Sequence, residues 1–437
     1  MTQATDQDRI ALFPWGGVIE DFLAPIGIDY IGFAEQMSGG WLFGYVDALR
    51  RQNVETVIVA LSRQVDRVER HVNPRTGTVT YFLPASLAYD ALRRWPGDTD
   101  DPDRPRFRGA RALQDLVRYT ATPAQAVSNI LRETRCQAIL AQEYEYPRFD
   151  RLVQIGRRLK VPVFASFQGA PPPVSWIDRV IRGRSLHAAA GLIVASVPEA
   201  ERLQREYGID AGRIHAIPNP LDLDLWFPEP RDACRKALGF SPDATIVVCH
   251  GRIELHRKGL DVLLKAWRDV VRQAGPGELR LHLIGSGQDD ARFASLIESD
   301  PIPGLRWVRR YVTDRSEVRR ELCAANLYVL PSRHEGSPVA PLEAMACGLP
   351  VVAADAPGVS EILGRDESSG GLVVAKNDPE ALRQGLSRLI NDPNLRACLA
   401  AQARPRVEAL ASLDVVGRRL AALLGAGRGR RTGHLAP

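Results

Sequence analysis

No stretch of this chain approaches the ~20 consecutive apolar residues that a membrane-spanning helix needs. The longest apolar run, Ala188–Val197, is short and rich in Ala and Ser, and it reads as a helix end followed by a buried strand. The first residues (MTQATDQDRI) are polar and lack the charged-then-apolar layout of an export signal, so no export is expected. The 6 cysteines (Cys136, Cys234, Cys249, Cys323, Cys347, Cys398) are scattered, with no C-x-x-C pair and no histidine cluster nearby. That argues against a disulfide framework or a zinc site and for a reducing compartment, the cytoplasm. The net charge of +5, carried mostly by arginine, is too mild and dispersed for a nucleic-acid partner. It suits peripheral contact with an anionic membrane surface on the cytoplasmic side.

What remains is an ordinary globular composition, 45% hydrophobic and 25% charged, over 437 residues. That length is enough for two to three domains. Strand-like and helix-like segments alternate almost throughout, the pattern of parallel sheets wound with helices on both faces. In the first half Arg9–Trp15, Glu55–Leu61, Val79–Leu83, Cys136–Ala141, Pro162–Ser166 and Leu192–Ala195 read as strands. Several are near-continuous apolar runs, as strands buried on both faces are. Gly40–Arg51, Pro123–Thr134 and Arg148–Leu159 carry helical spacing between them, and 95–108, rich in Asp, Pro and Arg, reads as an exposed loop. The proline-rich PNPLDLDLWFPEP at 218–230 breaks the rhythm as a hinge would. A second α/β run follows, with strands at Thr245–Cys249, Leu279–Ile284, Leu327–Leu330, Pro350–Ala354 and Leu372–Ala375. Leu260, Leu263, Leu264, Trp267, Val270 and Val271 share one helical face, and Asp378-Pro379-Glu380 has the form of a capped helix start. The tail at 425–437 is small, basic and expected to be disordered.

The most specific segment is SRHEGSPVAPLEAMACGLP, Ser332–Pro350. Glu335 and Glu343 stand eight positions apart, Gly336 opens a turn, Pro338 and Pro341 suit a turn and a first helical turn, and Gly348 ends the helix. A strand, a glycine loop and a helix start in that order direct backbone N–H groups past the strand end, where phosphate or sugar oxygens bind. Earlier, HGRIELHRKG (His250–Gly259) places Gly251 and Arg252 at a strand end and Lys258-Gly259 before a helix. A guanidinium there would fork onto phosphate oxygens and the ammonium would act as a point charge. Gly285-Ser286-Gly287 lacks the third glycine of a dinucleotide loop, which counts against an oxidoreductase. Asp222-x-Asp224 superficially matches a metal-binding D-x-D pair, but nothing else in the sequence supports a metal.

The two-glutamate stretch, with its continuation CGLPVVAADAPGVSEIL, resembles the E-x7-E signature of retaining glycosyltransferases of family 4. The G-R-x5-K-G element of that family matches at Arg252 and Lys258. The resemblance covers most of the chain, more strongly in the second half. It implies a GT-B architecture: two Rossmann-like domains across a cleft, at 1–218 and 219–404, with a last helix at about 405–424 crossing back. It further implies transfer of a hexose from a UDP- or GDP-sugar to an acceptor hydroxyl, with retention, no metal and no other cofactor. The product would be a cell-surface polysaccharide or glycolipid, or a glycosylated small molecule. A phosphorylase or epimerase sharing the fold, and a non-catalytic sugar-nucleotide binder, remain the alternatives.

By the same resemblance Glu335, Arg252 and Lys258 are catalytic, Glu335 at the transferred sugar and the two cations at the diphosphate, while Glu343 holds the ribose. Gly251, Gly285, Gly336, Ser337, Pro338, Val339 and Leu342 line the donor site, with Arg310 and Tyr311 in the segment that frames the base. Ser38-Gly39-Gly40 resembles the phosphate-approaching glycine loop, with Gly16-Gly17 as its rival, and a flexible turn is the plainer reading of either. Gln168 falls where many members carry a histidine, and it is expected on the acceptor side with Glu143. For Glu143 and Glu145 a surface-carboxylate reading competes. The setting of Asp222 and Asp224 resembles the family hinge, with Pro220 in place of a glycine.

Overall fold

The computed structural model describes residues 8–15, 17–37, 40–93, 117–172, 176–274 and 278–429. Gly16, Ser38, Gly39, the 95–108 stretch and the tail from 430 onward lie outside the described residues. The first half supplies β1 (Arg9–Phe13), β2 (Glu55–Ser62), β3 (Glu69–Val72), β4 (Val79–Pro84), β5 (Ala138–Gln142), β6 (Val163–Ser166), β7 (Gly191–Val194) and β8 (Ile214–Ala216). They form one sheet in the order β3-β4-β2-β1-β5-β6-β7-β8, parallel except for β3 against β4. The second half supplies β9 (Thr245–His250), β10 (Leu279–Ile284), β11 (Leu305–Val308), β12 (Leu327–Leu330), β13 (Val351–Ala354) and β14 (Gly371–Val374). These lie in the order β11-β10-β9-β12-β13-β14, all parallel.

The continuous apolar runs follow from burial on both faces. In β1, Ala11 and Phe13 enter one core with Ile139, while Ile10 and Leu12 enter another with Leu140. In β9, Val247 and Cys249 face one core, and Ile246 and Val248 the other. Helix Leu260–Gln273 buries Leu260, Leu263, Leu264, Trp267 and Val270 in that first core. Each such side chain contributes about 1.5–3 kcal/mol by leaving water. Asp378 caps Pro379–Asn391, its Oδ1 accepting from Glu380 N at 2.9 Å and Ala381 N at 3.0 Å.

The chain end departs from expectation. Pro405 sits inside helix Pro393–Ala411, whose Ala403, Val407 and Ala411 pack in the core of the second sheet. The crossing starts only at Leu413, after a break at Ser412. Helix Leu413–Gly429 then lays Val416, Leu420 and Leu424 beside Phe43, Val46 and Leu49 of helix Gly40–Arg50, in the core of the first sheet. Its last five residues, 425–429, belong to the segment expected to be disordered. No helix among the described residues is long and apolar enough to cross a membrane.

Each sheet reverses its winding at one strand, β1 in the first and β9 in the second. Ligand crevices open at the carboxyl ends of strands beside such points.

Candidate active site

Around β9 the local sequence enforces the geometry. Gly251 N donates to Ile284 O at 3.0 Å and Gly285 N to Val308 O at 3.0 Å, so the turns after β9 and β10 stack side by side. Gly259 caps the next helix with φ +63°, where a Cβ would stand 2.0 Å from Pro331 O. Only glycine fits that approach, and it brings Lys258 against the loop after β12. Lys258 Nζ donates to Glu335 Oε1 at 2.7 Å, joining the two motif segments. Burial opposes ionisation of Glu335, but the Lys258 ammonium and the nearby Arg257 outweigh it and hold the carboxyl below its ordinary value. Glu343 Oε2 lies 2.6 Å from His250 Nε2.

Arg252 pairs with Glu254 at 2.8 Å, and its guanidinium lies 5.1 Å from the centre of the Phe22 ring. Partial burial lowers its pKa, and the half-exposed guanidinium remains within reach of an anionic partner. Phe22 comes from the first half, on the π-helical segment Val18–Leu23 that follows β1 and Gly17. It also meets Tyr311 edge-on at 6.4 Å. Gly40 approaches from the same half: a side chain there would come within 3.3 Å of Arg315 Nη2. Gly17 and Gly40, the described glycines of the two candidate segments, therefore both lead toward second-half cations. Arg310 instead pairs with Glu317 and is largely exposed, while Leu342 is wholly enclosed in the core and lines nothing with its side chain.

The loop after β6 closes the other wall. Gly336 lies so near it that a Cβ would stand 2.3 Å from Gln168 C and Gly169 N. His334 Nε2 is 3.2 Å from Gly169 O. Asn219 links both loops: its Nδ2 donates to Gln168 Oε1 at 3.0 Å and to Ser337 O at 2.9 Å, and its backbone N donates to Ser337 Oγ at 3.1 Å. Gln168 Nε2 returns a bond to Asn219 Oδ1 at 3.2 Å.

Glu143 and Glu145 are not surface carboxylates; both are buried. Glu143 Oε2 accepts from Gln168 N at 3.0 Å and Ala170 N at 2.9 Å, and Oε1 accepts from Glu145 N at 3.0 Å. Its carboxylate thus staples the Gln168–Ala170 loop. Burial pushes its pKa up to about 7, against these three amide bonds. Glu145 is held by Arg182 at 3.0 Å and by Arg202. The D-x-D pair is also engaged: Arg51 Nη2 lies 2.7 Å from Asp224 Oδ2 and 3.8 Å from Asp222 Oδ1, and its Nη1 lies 3.1 Å from Asp414 Oδ2.

Sequence reasoning passed over His250, Arg257, Arg315, Phe22 and Asn219. His250 and Arg257 lie inside the quoted glycine-arginine segment. Asn219 lies in the hinge Pro-Asn dipeptide. Phe22 and Arg315 had no local signal.

Residues 42–225 match the family described as Glycosyltransferase Family 4, and residues 244–392 match Glycosyl transferases group 1. A D-inositol 3-phosphate glycosyltransferase from Xylanimonas cellulosilytica is 36% identical over 52% of this chain and 55% of its own length. For the first of the curated relatives it matches, the chain thus spans about half their length. D-inositol 3-phosphate glycosyltransferase 1 from Catenulispora acidiphila is 29% identical over 90% of this chain and 93% of its own. Sucrose-phosphate synthase from Thermosynechococcus elongatus shares the fold with a TM-score of 0.70 at 20% identity, over 97% of this chain and 100% of its own. With both halves matched in order and the two sheets arranged as in GT-B structures, the chain belongs to the family 4 type of glycosyltransferases.

Proposed function

We propose that the protein transfers a hexose, with retention of configuration, from a UDP- or GDP-sugar to an acceptor hydroxyl. The observation that carries this reading is the meeting of Lys258 with Glu335 beside Arg252, at the carboxyl ends of β9 and β12. A nucleotide diphosphate fits the two cations, and Glu335 then faces the transferred sugar while Glu343, further into its helix, takes the ribose hydroxyls. As the glycosidic bond breaks, charge gathers on the leaving phosphate, where Arg252 and Lys258 stabilise it. The departing phosphate takes the acceptor proton on the same face that the acceptor attacks, so the configuration is kept without a carboxylate nucleophile. These cations take the part a metal plays elsewhere, and the pairing of Arg51 with the D-x-D carboxylates supports transfer without a metal.

The acceptor binds on the side of Gln168. Both curated relatives described above are named for D-inositol 3-phosphate, so a polyhydroxylated ring, free or as a glycolipid headgroup, is the acceptor class to try first. A glycolipid acceptor fits a cytoplasmic protein resting on the inner face of a membrane.

Thermal shift against UDP, GDP and their hexose conjugates tests the donor. A ligand at ~100 times its dissociation constant adds about 2.7 kcal/mol to the folded state. Product analysis with the matching donor, inositol 3-phosphate and chelator then tests acceptor, stereochemistry and metal. Release of an inverted sugar, or strict dependence on added Mn²⁺ or Mg²⁺, overturns the mechanism.

A further inference from the structure

We propose that His250 is a positioning residue that aims the Glu343 carboxylate at the donor ribose, and so sets the preference for ribonucleotide over deoxyribonucleotide donors. This rests on the role given to Glu343 above. His250 is the last residue of β9, directly before Gly251 and Arg252. Its Nε2 lies 2.6 Å from Glu343 Oε2, its ring meets Tyr328 edge-on at 5.4 Å, and its carbonyl accepts from the Tyr328 hydroxyl at 3.3 Å. Its Nδ1 is buried with no hydrogen-bond partner among the described residues. The proton that serves the carboxylate is therefore on Nε2, and a ring locked by Tyr328 has one polar task. A carboxylate oxygen carries two lone pairs. Oε2 can hold His250 and still accept one ribose hydroxyl while Oε1 accepts the other.

The same sheet contains an internal control. His282 on β10 bonds Glu321 at 2.7 Å, and its Nδ1 is likewise without a partner among the described residues. Val248 is the register partner of His282, and Ile284 that of His250, so the two histidines stand two rungs apart. The pair His282–Glu321 is sealed in mid-sheet, with side chains 0% and 4% exposed. The pair His250–Glu343 sits at the strand end, with side chains 10% and 9% exposed. The same chemical pair is structural in one place and turned toward a ligand in the other.

Dissociation constants for UDP, GDP and their 2′-deoxy forms, measured by calorimetry on wild type, His250→Ala, His250→Gln and His282→Gln, test the proposal. Wild type should prefer the ribose form roughly tenfold or more, the scale of losing a hydrogen bond to a charged group. His250→Ala should cut that preference to within about threefold by weakening only the ribose form. His250→Gln, whose amide N–H reaches the same oxygen, should recover part of it. His282→Gln should lower the melting temperature and leave the preference intact. Equal weakening of both forms in His250→Ala, or a preserved preference, overturns the role of His250 and leaves the donor reading standing. A wild type that binds but shows no preference removes the ribose role of Glu343 and the inference with it. A wild type that binds neither nucleotide defeats the donor reading itself. If His250→Ala does not fold, the comparison of His250→Gln with His282→Gln carries the same decision.

Discussion

The two walls of the cleft are built by different means. On the second-half wall, short contiguous segments do the work: glycine turns at strand ends set the backbone, and Lys258–Glu335 and His250–Glu343 follow from it. On the first-half wall, side chains far apart in sequence hold loops in place. Glu143 grips the amides of Gln168 and Ala170, and Asn219 ties Gln168 to Ser337. A wall of backbone turns suits a ligand part that never changes, such as a diphosphate. A wall of loops stapled by side chains can be re-cut for different acceptors without disturbing the first.

The sharpest way to break this comparison is to remove the charges of the constant wall. Arg252→Ala and Lys258→Ala should each lower turnover by roughly 10²–10³, the scale of losing one transition-state charge stabiliser. Steady-state rates within about twofold of wild type in both variants would show that these cations do not serve the chemistry. Within the same wall, Glu335→Gln should mainly slow the chemical step, because the sugar must be held where its bond breaks. Glu343→Gln should mainly raise the donor KM, because ribose contacts differ little between ground and transition states. Free nucleoside diphosphate binding Glu343→Gln as tightly as wild type, and Glu335→Gln poorly, would reverse the two roles.

The stapled wall should announce itself in pH dependence. The Glu143 carboxyl is raised from about 4.5 to about 7 in the folded protein. Between those values the native state holds the proton more tightly than the unfolded chain, so stability falls as pH rises across the window. At about 1.36 kcal/mol for each pH unit, the full loss is on the order of 3 kcal/mol. Glu143→Gln cannot titrate, so its stability should lack this slope whatever its absolute value. Urea melts of both proteins from pH 4.5 to 7.5 check it, and parallel slopes would mean that the amide cradle keeps Glu143 ionised throughout.

The same division explains what was legible in the sequence. Central strands buried on both faces spell themselves out as apolar runs, which is why β1, β2, β5 and β9 could be read directly. The strands not foreseen, β3, β8 and β11, are all sheet edges, short and partly exposed, as in the Glu-Arg-His-Val of β3. The contiguous motifs gave Arg252, Lys258, Glu335 and Glu343 together, since a turn and a helix start need neighbouring residues. Contacts such as Phe22 on Arg252 join residues hundreds of positions apart, and no local spacing encodes them. Glu143 was found at its strand end but misjudged, because burial depends on a loop that passes over it more than twenty residues later. The crossing helix was placed too early because Pro405 reads as a start, whereas the break falls at Ser412 beside the Leu221 bridge.

The smallest expected effect is also the most direct test of whether the two walls act together. Asn219 is almost fully buried, and its side chain makes the bonds that tie the β6 loop to the segment between the glutamates. Asn219→Ala removes them but spares the backbone bond to Ser337 Oγ, so the chain path should hold. A net loss of about 1 kcal/mol, the usual worth of a few imperfectly shared bonds, corresponds to a roughly fivefold drop in rate. On the proposed reading the diphosphate rests on Arg252 and Lys258, away from the Gln168–Asn219 pair, so that drop should appear in kcat/KM for the acceptor and leave nucleoside diphosphate affinity within about twofold. Gln168→Ala should behave alike, since it breaks the same pair of amide bonds. The double variant should then lose little more than either single one, with an interaction energy above about 0.5 kcal/mol. If the two losses add to within ~0.3 kcal/mol, Gln168 and Asn219 act separately and the amide tie is not what joins the walls.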